Sequence, residues 1–527
     1  MELARTWLSE CFQNHQECLS DIRPDEPILP KRVIDIGPSD GSQEPYLFIP
    51  GSGSHRANYV ALSHCWGPHQ IITTTKGTIV AHQRRIEWAK LSKTFQDAVH
   101  VTRQFNIRYI WIDSLCIVQD SAEDWEMESA VMGDIYRNAL FTISAAQAKD
   151  GADGCFSRRN SNVNRPCKMN LYFGQRPQDR ATPKEDIGGE PQRSVYVYPF
   201  TSGNAVGPLY KRAWVYQEQA LSTRTLAFGK DNVYWVCPSM NANENYPMGY
   251  RQRSSMPAAE FLRELKGSES EPDEFEMEED LHDLWYGIIE EYSTRSLTKA
   301  TDRLPAVSGL AAEINKRLED DQYIAGLWRE DLKRGLLWSC PDLRKTGLRA
   351  KPPLQYVAPS WSWASLAGRL ISFSYAKQIF KYGDCVEDLE IQGVGRKLKG
   401  LNPFGEVLHG MIKISSRLVP VALEPNSDIM TSNDTENVGE KVTLYMLDGS
   451  RAVGALNLDA LEVFDAPIWV LAMAEKHETE DHWTTVCLAL IETGFKVGEW
   501  TEYRRVGLAG VDSFCFDDAE KTTICIV

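Results

Sequence analysis

Residues 108–118, RYIWIDSLCIV, decide the fold class. The run is almost wholly apolar and short, and it lies between two stretches of helical spacing. The first, residues 92–105, places Phe95, Ala98, Val99, Thr102 and Phe105 on one side, with Asn106 able to end it. The second covers residues 123–138. A continuously hydrophobic strand between helices is the pattern of a parallel sheet covered on both faces. Upstream, residues 58–66, NYVALSHCW, form another apolar run closed by Gly67-Pro68, which suits a buried strand ending in a turn. Downstream, residues 140–146 repeat the strand pattern. Strand, helix, strand, helix and strand in succession predict an α/β core.

Outward from this core the chain divides by composition. Residues 1–30 read as an amphipathic helix and a Pro-rich link, and residues 31–50 as strand, turn and strand. Residues 150–205, rich in Gly, Pro, Arg and Asn, read as a long excursion, and residues 210–237 as a helix followed by strands. Five regions result: 1–30, a sheet-bearing domain at 31–237, a low-order acidic linker at 238–280, a helical segment at 281–350 and a β-rich part at 351–527. Trp361 and Trp363, two apart, read as one face of a core strand.

The chain has 527 residues, 57 Lys and Arg against 73 Asp and Glu, and a formal charge of −16. Such a surface repels phosphate backbones and argues against nucleic-acid binding. Eight of those charges lie between Glu269 and Asp280, so the excess describes a linker more than a partner. No apolar run is long enough to span a membrane. The N-terminus lacks a secretory pattern, and the twelve scattered cysteines, with no CxxC pair, fit buried reduced thiols in a cytoplasmic protein. GxxxxGK[ST], HExxH and GxSxG are all absent. Cys11, His15 and Cys18 share one helical face, but their spacing fits no zinc finger and suits a packing stripe with Leu8; the expectation is no metal.

Three blocks are distinctive together. They are residues 59–67, YVALSHCWG; residues 108–117, RYIWIDSLCI, continuing through Gln119-Asp120, Asp124-Trp125, Glu128 and Met132 to Tyr136; and residues 212–218, RAWVYQE, continuing to Leu221. In form and order they resemble the heterokaryon incompatibility (HET) domain of filamentous fungi. Trp7, Cys11, His15, Cys18 and residues 29–35, LPKRVID, are similar to its usual lead-in, and residues 302–309 and 358–365 to segments common after it. The resemblance implies an effector or regulator of cell death when unlike hyphae fuse. More remotely the domain is similar to the TIR fold, which implies a TIR/flavodoxin-like parallel sheet with insertions and, as one activity of that fold, hydrolysis of NAD or NADP. The α/β core, the helical segment and the β-rich C-terminal part complete the expected architecture.

Within these blocks the chemistry-bearing residues stand out. Glu128 shares the apolar helix face of Trp125, Met132 and Ile135, where a carboxylate must be paired, protonated or functional. Asp113 closes the strand beginning at Arg108, with Ser114 next to it, while Ser63, His64 and Trp66 end the strand beginning at Tyr59. Open α/β sheets bind ligands at such carboxyl ends. Nicotinamide leaves a pyridinium N-glycoside as a neutral molecule, so one carboxylate facing an oxocarbenium-like transition state suffices. Under the NAD(P) reading, Glu128 has that electrostatic role, Asp113 and Ser63 position the ribose, and Trp66 stacks the ring. Trp214, Gln217 and Glu218 close the site or brace the domain. For Glu128 and Asp113 the alternative is that they form buried hydrogen bonds or pair with Arg108 or Arg212 and so hold the blocks together, and Cys116 reads as core. No cofactor is expected, only a nucleotide substrate. Two further readings stay open: an interaction module acting through a protein partner or self-association, and a small-molecule enzyme of a biosynthetic pathway using the same crevice.

Overall fold

In a computed structural model of the chain, the described residues are 1–19, 26–51, 55–68, 71–159, 167–171, 193–197, 205–250, 281–318, 321–340, 355–366, 368–382, 385–423, 442–460, 466–479 and 482–527. Two helices, α1 (Glu2–Asn14) and α2 (Gln16–Leu19), precede a hairpin of β1 (Val33–Asp35) and β2 (Tyr46–Phe48). Strand β3 (Tyr59–Ser63) is buried at every residue, as a strand covered on both faces must be. After α3 (Ile79–Arg84) comes α4 (Lys93–Gln104), whose N-cap Ser92 accepts the Phe95 N–H at 3.3 Å. Asn106, at φ +56°, turns the chain out of α4 and into β4 (Tyr109–Trp111). A short α5 (Asp113–Cys116), α6 (Ala122–Asn138) and β5 (Thr142–Ser144) follow. The 150–205 excursion contains a hairpin of β6 (Cys167–Leu171) and β7 (Arg193–Val197). Then come α7 (Val215–Leu221), β8 (Thr225–Phe228), β9 (Val233–Cys237), β10 (Met240–Asn243) and β11 (Tyr246–Tyr250).

Nine strands form one sheet in the order β11-β10-β9-β8-β5-β3-β4-β1-β2. The inner four, β4, β3, β5 and β8, are parallel, and antiparallel strands flank them on both sides. By chain order those four run 2-1-3-4, so the connections leave β3 toward opposite sides and open a crevice at its carboxyl end.

Two expectations change here. Residues 108–118 are not one strand: β4 ends at Trp111, and Asp113, whose Oδ1 accepts its neighbour Ser114 N–H at 2.7 Å, starts a helical turn. Short Asp side chains compete for backbone donors and so favour such turns over strands. The expected linker at 238–280 also starts too early, because β10 and β11 join the sheet; Asn243 Oδ1 accepts the N–H groups of Asn245 and Tyr246 and forms the turn between them. The acidic run at 269–280 lies outside the described residues.

The helices at Leu281–Ser293 and Ser308–Asn315 do not form a separate body. Their apolar faces share one core with the C-terminal sheet and reach back to Tyr216 and Leu221 of α7. The C-terminal sheet has eight strands. The long strand Val407–Leu423 also pairs with Ile468–Thr479, which closes six of them into a barrel. Trp361 and Trp363 are fully buried, as expected, but on a turn rather than a strand: Trp363 opens a 3-10 turn. The indole N–H groups of Trp363 and Trp285 both donate to Gly326 O, at 2.8 and 2.9 Å. Gly326 has φ +100°, and a Cβ there would lie 2.5 Å from the Trp363 ring. Among the described residues, no helix is long and apolar enough to cross a membrane.

Candidate active site

The carboxyl ends of β3 and β4 bring Ser63, His64, Trp66, Asp113 and Ser114 together. Asp113 is the centre of this group. Its Oδ2 accepts the Trp66 indole N–H at 2.8 Å, its Oδ1 accepts the Ser114 N–H, and the same Oδ1 lies 3.7 Å from His64 Nδ1. Its side chain keeps 23% exposure, whereas that of His64 has 1%. Burial pulls the His64 pKa below its ordinary value, and the nearby Arg212 adds to this against the opposing pull of Asp113, so the ring is neutral. Arg212 reaches in from the third block and donates from Nη1 to His64 O.

Glu218, on α7, is buried next to this group. Burial raises its pKa to about 7, opposed by Ser63, Arg212 and Tyr136 and reinforced by the charge of Asp113. Two neighbouring carboxyl groups held in such unlike surroundings are the arrangement that separates acid and base roles. His64 Nε2 and Ser114 Oγ are buried without a hydrogen-bond partner, an uncommon state for side chains at the end of a strand. Tyr136, whose hydroxyl donates to Leu62 O at 3.2 Å, completes the floor.

Other expected residues are held by partners of their own. Glu128 is on the buried face of α6, but its partners are Arg32 at 3.2 Å and Lys31 at 3.8 Å. Arg32 also pairs with Asp124 and donates to Cys116 O, so Glu128 belongs to a charge cluster with Lys31, Arg32 and Asp124. The alternative pairing of Asp113 or Glu128 with Arg108 does not form either: Arg108 binds Asp35. Trp214 and Gln217 brace: the Trp214 indole donates to Asp302 at 3.1 Å, and Gln217 Oε1 accepts the Gly309 N–H at 3.1 Å. Cys116 is core, as expected, its thiol pushed far up by burial. Tyr136 was visible only as part of a block, and nothing in its spacing pointed at Glu218.

Gly67 ends the loop that carries His64 and Trp66. It has φ +70°, and a Cβ would come within 2.1 Å of Asp150 Cβ. Gly67→Ala therefore costs about 2 kcal/mol in urea unfolding, through the positive φ and the clash together. It also displaces Trp66 from Asp113, which the fluorescence of the variant will register.

A family model described as "Heterokaryon incompatibility protein (HET)" matches residues 59–218, the span from β3 to Glu218 that contains every residue of the crevice. No curated protein and no solved structure matches the chain. Residues 59–218 of this chain are a heterokaryon incompatibility (HET) domain.

Proposed function

We propose that the chain is a heterokaryon-incompatibility effector acting in the cytoplasm, and that its HET domain hydrolyses the nicotinamide N-glycosidic bond of NAD or NADP. The observation that carries this reading is the partly exposed Asp113 carboxylate, fixed by the Trp66 and Ser114 N–H groups close enough to the buried carboxyl of Glu218 for its charge to be felt there. The 2-1-3-4 order of the parallel strands supports a TIR/flavodoxin-like sheet, with the ligand where the strand connections diverge.

In this reading Asp113 faces the ribose and stabilises the oxocarbenium-like transition state as neutral nicotinamide departs. The C1′–N bond breaks with its electron pair going to the ring, water adds to C1′, and its proton passes toward Glu218, whose pKa suits a base near neutrality. Trp66, with its N–H already committed to Asp113, offers a ring face to nicotinamide. The electrostatic role expected of Glu128 passes to Asp113, because Arg32 and Lys31 already hold Glu128.

The test is purified full-length chain with NAD and NADP, followed for nicotinamide and ADP-ribose release. Turnover by the wild type, retained within about tenfold in Glu128→Gln, supports the reading. A folded wild type that releases no nicotinamide from either nucleotide removes it and favours action through a protein partner or self-association. A different product from a small-molecule substrate favours a biosynthetic enzyme.

A further inference from the structure

We propose that Cys11, His15, Cys18 and Cys237 bind one zinc ion that fastens the N-terminal arm to the nine-stranded sheet. The four residues come from three segments: Cys11 from α1, His15 and Cys18 from the break between α1 and α2 and from α2 itself, and Cys237 from the last position of β9. Their donor atoms all lie within 4.8 Å of one another. Cys237 Sγ is 3.4 Å from His15 Nδ1, and Cys18 Sγ is 4.0 Å from it. A tetrahedral zinc with ordinary bond lengths sets sulfur and nitrogen ligands roughly 3.6 Å apart, midway between these distances.

The donor set selects the metal. Three thiolates and an imidazole suit zinc and exclude magnesium or calcium, which take oxygen ligands. Four protein donors leave no open coordination position, so the ion is structural rather than catalytic. Three thiol protons leave as it binds, and the resulting centre carries one negative charge. Arg224 meets that charge: its Nε donates to Cys11 Sγ at 3.2 Å and its Nη2 to Cys18 O at 3.3 Å. The Ser239 hydroxyl lies 3.7 Å from Cys18 Sγ. Outer partners of this kind orient metal ligands.

The local backbone fits the same account. One unbroken helix would line up Cys11, His15 and Cys18 as a stripe, but the chain leaves the helix at His15, with φ −95° and ψ 99°. A four-residue helix such as α2 has too few hydrogen bonds to hold itself, and two of the donors sit at or next to it. The first helix itself packs well: Ala4, Trp7 and Cys11 are buried in the core of the sheet, the Trp7 indole reaches Pro247 O at 2.8 Å and Arg5 reaches Gln104. A metal clip across 219 residues of chain, from Cys18 to Cys237, adds a link at the point where the helix breaks and the short α2 cannot hold itself.

The test begins with the full-length chain, expressed with zinc in the medium and purified without chelators. Elemental analysis will find about one zinc per chain, falling below about a tenth in Cys11→Ser and Cys237→Ser and unchanged in Cys167→Ser, an exposed cysteine on β6. Should the ligand variants fail to fold, cobalt exchanged into the wild type decides: tetrahedral d–d bands with thiolate charge transfer support the site. Wild type that carries no stoichiometric zinc and gives no such cobalt spectrum overturns it, as does a disulfide among Cys11, Cys18 and Cys237.

Discussion

Asp113→Asn will lower nicotinamide release from NAD and NADP by about 10³-fold, because it removes a charge the transition state needs; its single amide oxygen can replace only one of the two carboxylate oxygens that now accept the Trp66 and Ser114 N–H groups, so a small fall in melting temperature accompanies the loss. Glu218→Gln is the companion experiment, since that carboxyl affects rate and stability in opposite directions. As proton acceptor it must be ionised, so wild-type turnover rises with pH through about 7. Glu218→Gln flattens that limb and loses about 10²-fold or more. For stability the sign reverses. The folded state holds the Glu218 proton up to about pH 7, whereas the unfolded chain releases it near the ordinary value of 4.5. Between these values the native state binds more protons, so stability falls as pH rises, by at most roughly 3 kcal/mol. Urea unfolding at pH 5.5 and 8 will show that fall in the wild type and a smaller one in Glu218→Gln, the remainder coming from other carboxyls that burial raises, such as Glu128. A Glu218→Gln variant that keeps wild-type turnover and the wild-type pH dependence of stability would falsify both roles.

The sequence made the crevice legible because its ingredients are local. Apolar runs ending in Ser63-His64 and at Asp113 mark carboxyl ends of buried strands, and the sheet does place those ends side by side. What could not be read depends on distant partners. Glu128 lies on the apolar helix face as its spacing indicated, yet the residue that claims it, Arg32, stands 96 positions earlier with no periodic relation to it. Cys237 likewise turns a three-residue stripe into a four-donor cluster only after β9 has taken its place in the sheet. The strand between Arg108 and Val118 was overextended because Leu115, Cys116 and Ile117 are as apolar as strand residues, although they pack from a helical turn. Hydrophobicity reports burial, and only the Asp113 side chain reports where the backbone bends.

Arg32→Leu will destabilise the fold by about 3–5 kcal/mol, the cost of stripping the partner from buried charges. The Arg32 side chain is 5% exposed, and it contacts Asp124, Glu128 and Cys116 O together. Without it, two nearly buried carboxylates face each other with only Lys31, which is 45% exposed and therefore screened by water. Burial already pushes the Glu128 pKa up against the pull of Arg32, with Asp124 adding to the rise and Lys31 opposing it. Asp124 is also pushed up by burial, but hydrogen bonds from Lys31, the Val118 N–H and Arg32 hold it below its usual range. Removing Arg32 shifts both groups toward their neutral forms, so the variant binds more protons when folded than unfolded. Its deficit should therefore shrink as pH falls toward 5 and grow toward pH 8, the slope following the difference in bound protons. Glu128→Leu added to Arg32→Leu removes one orphaned carboxylate and should recover part of the loss. Unfolding curves across that pH range check both statements. A cost of under about 1 kcal/mol for Arg32→Leu would mean that the cluster is not a brace, and Glu128 would again be a candidate for chemistry.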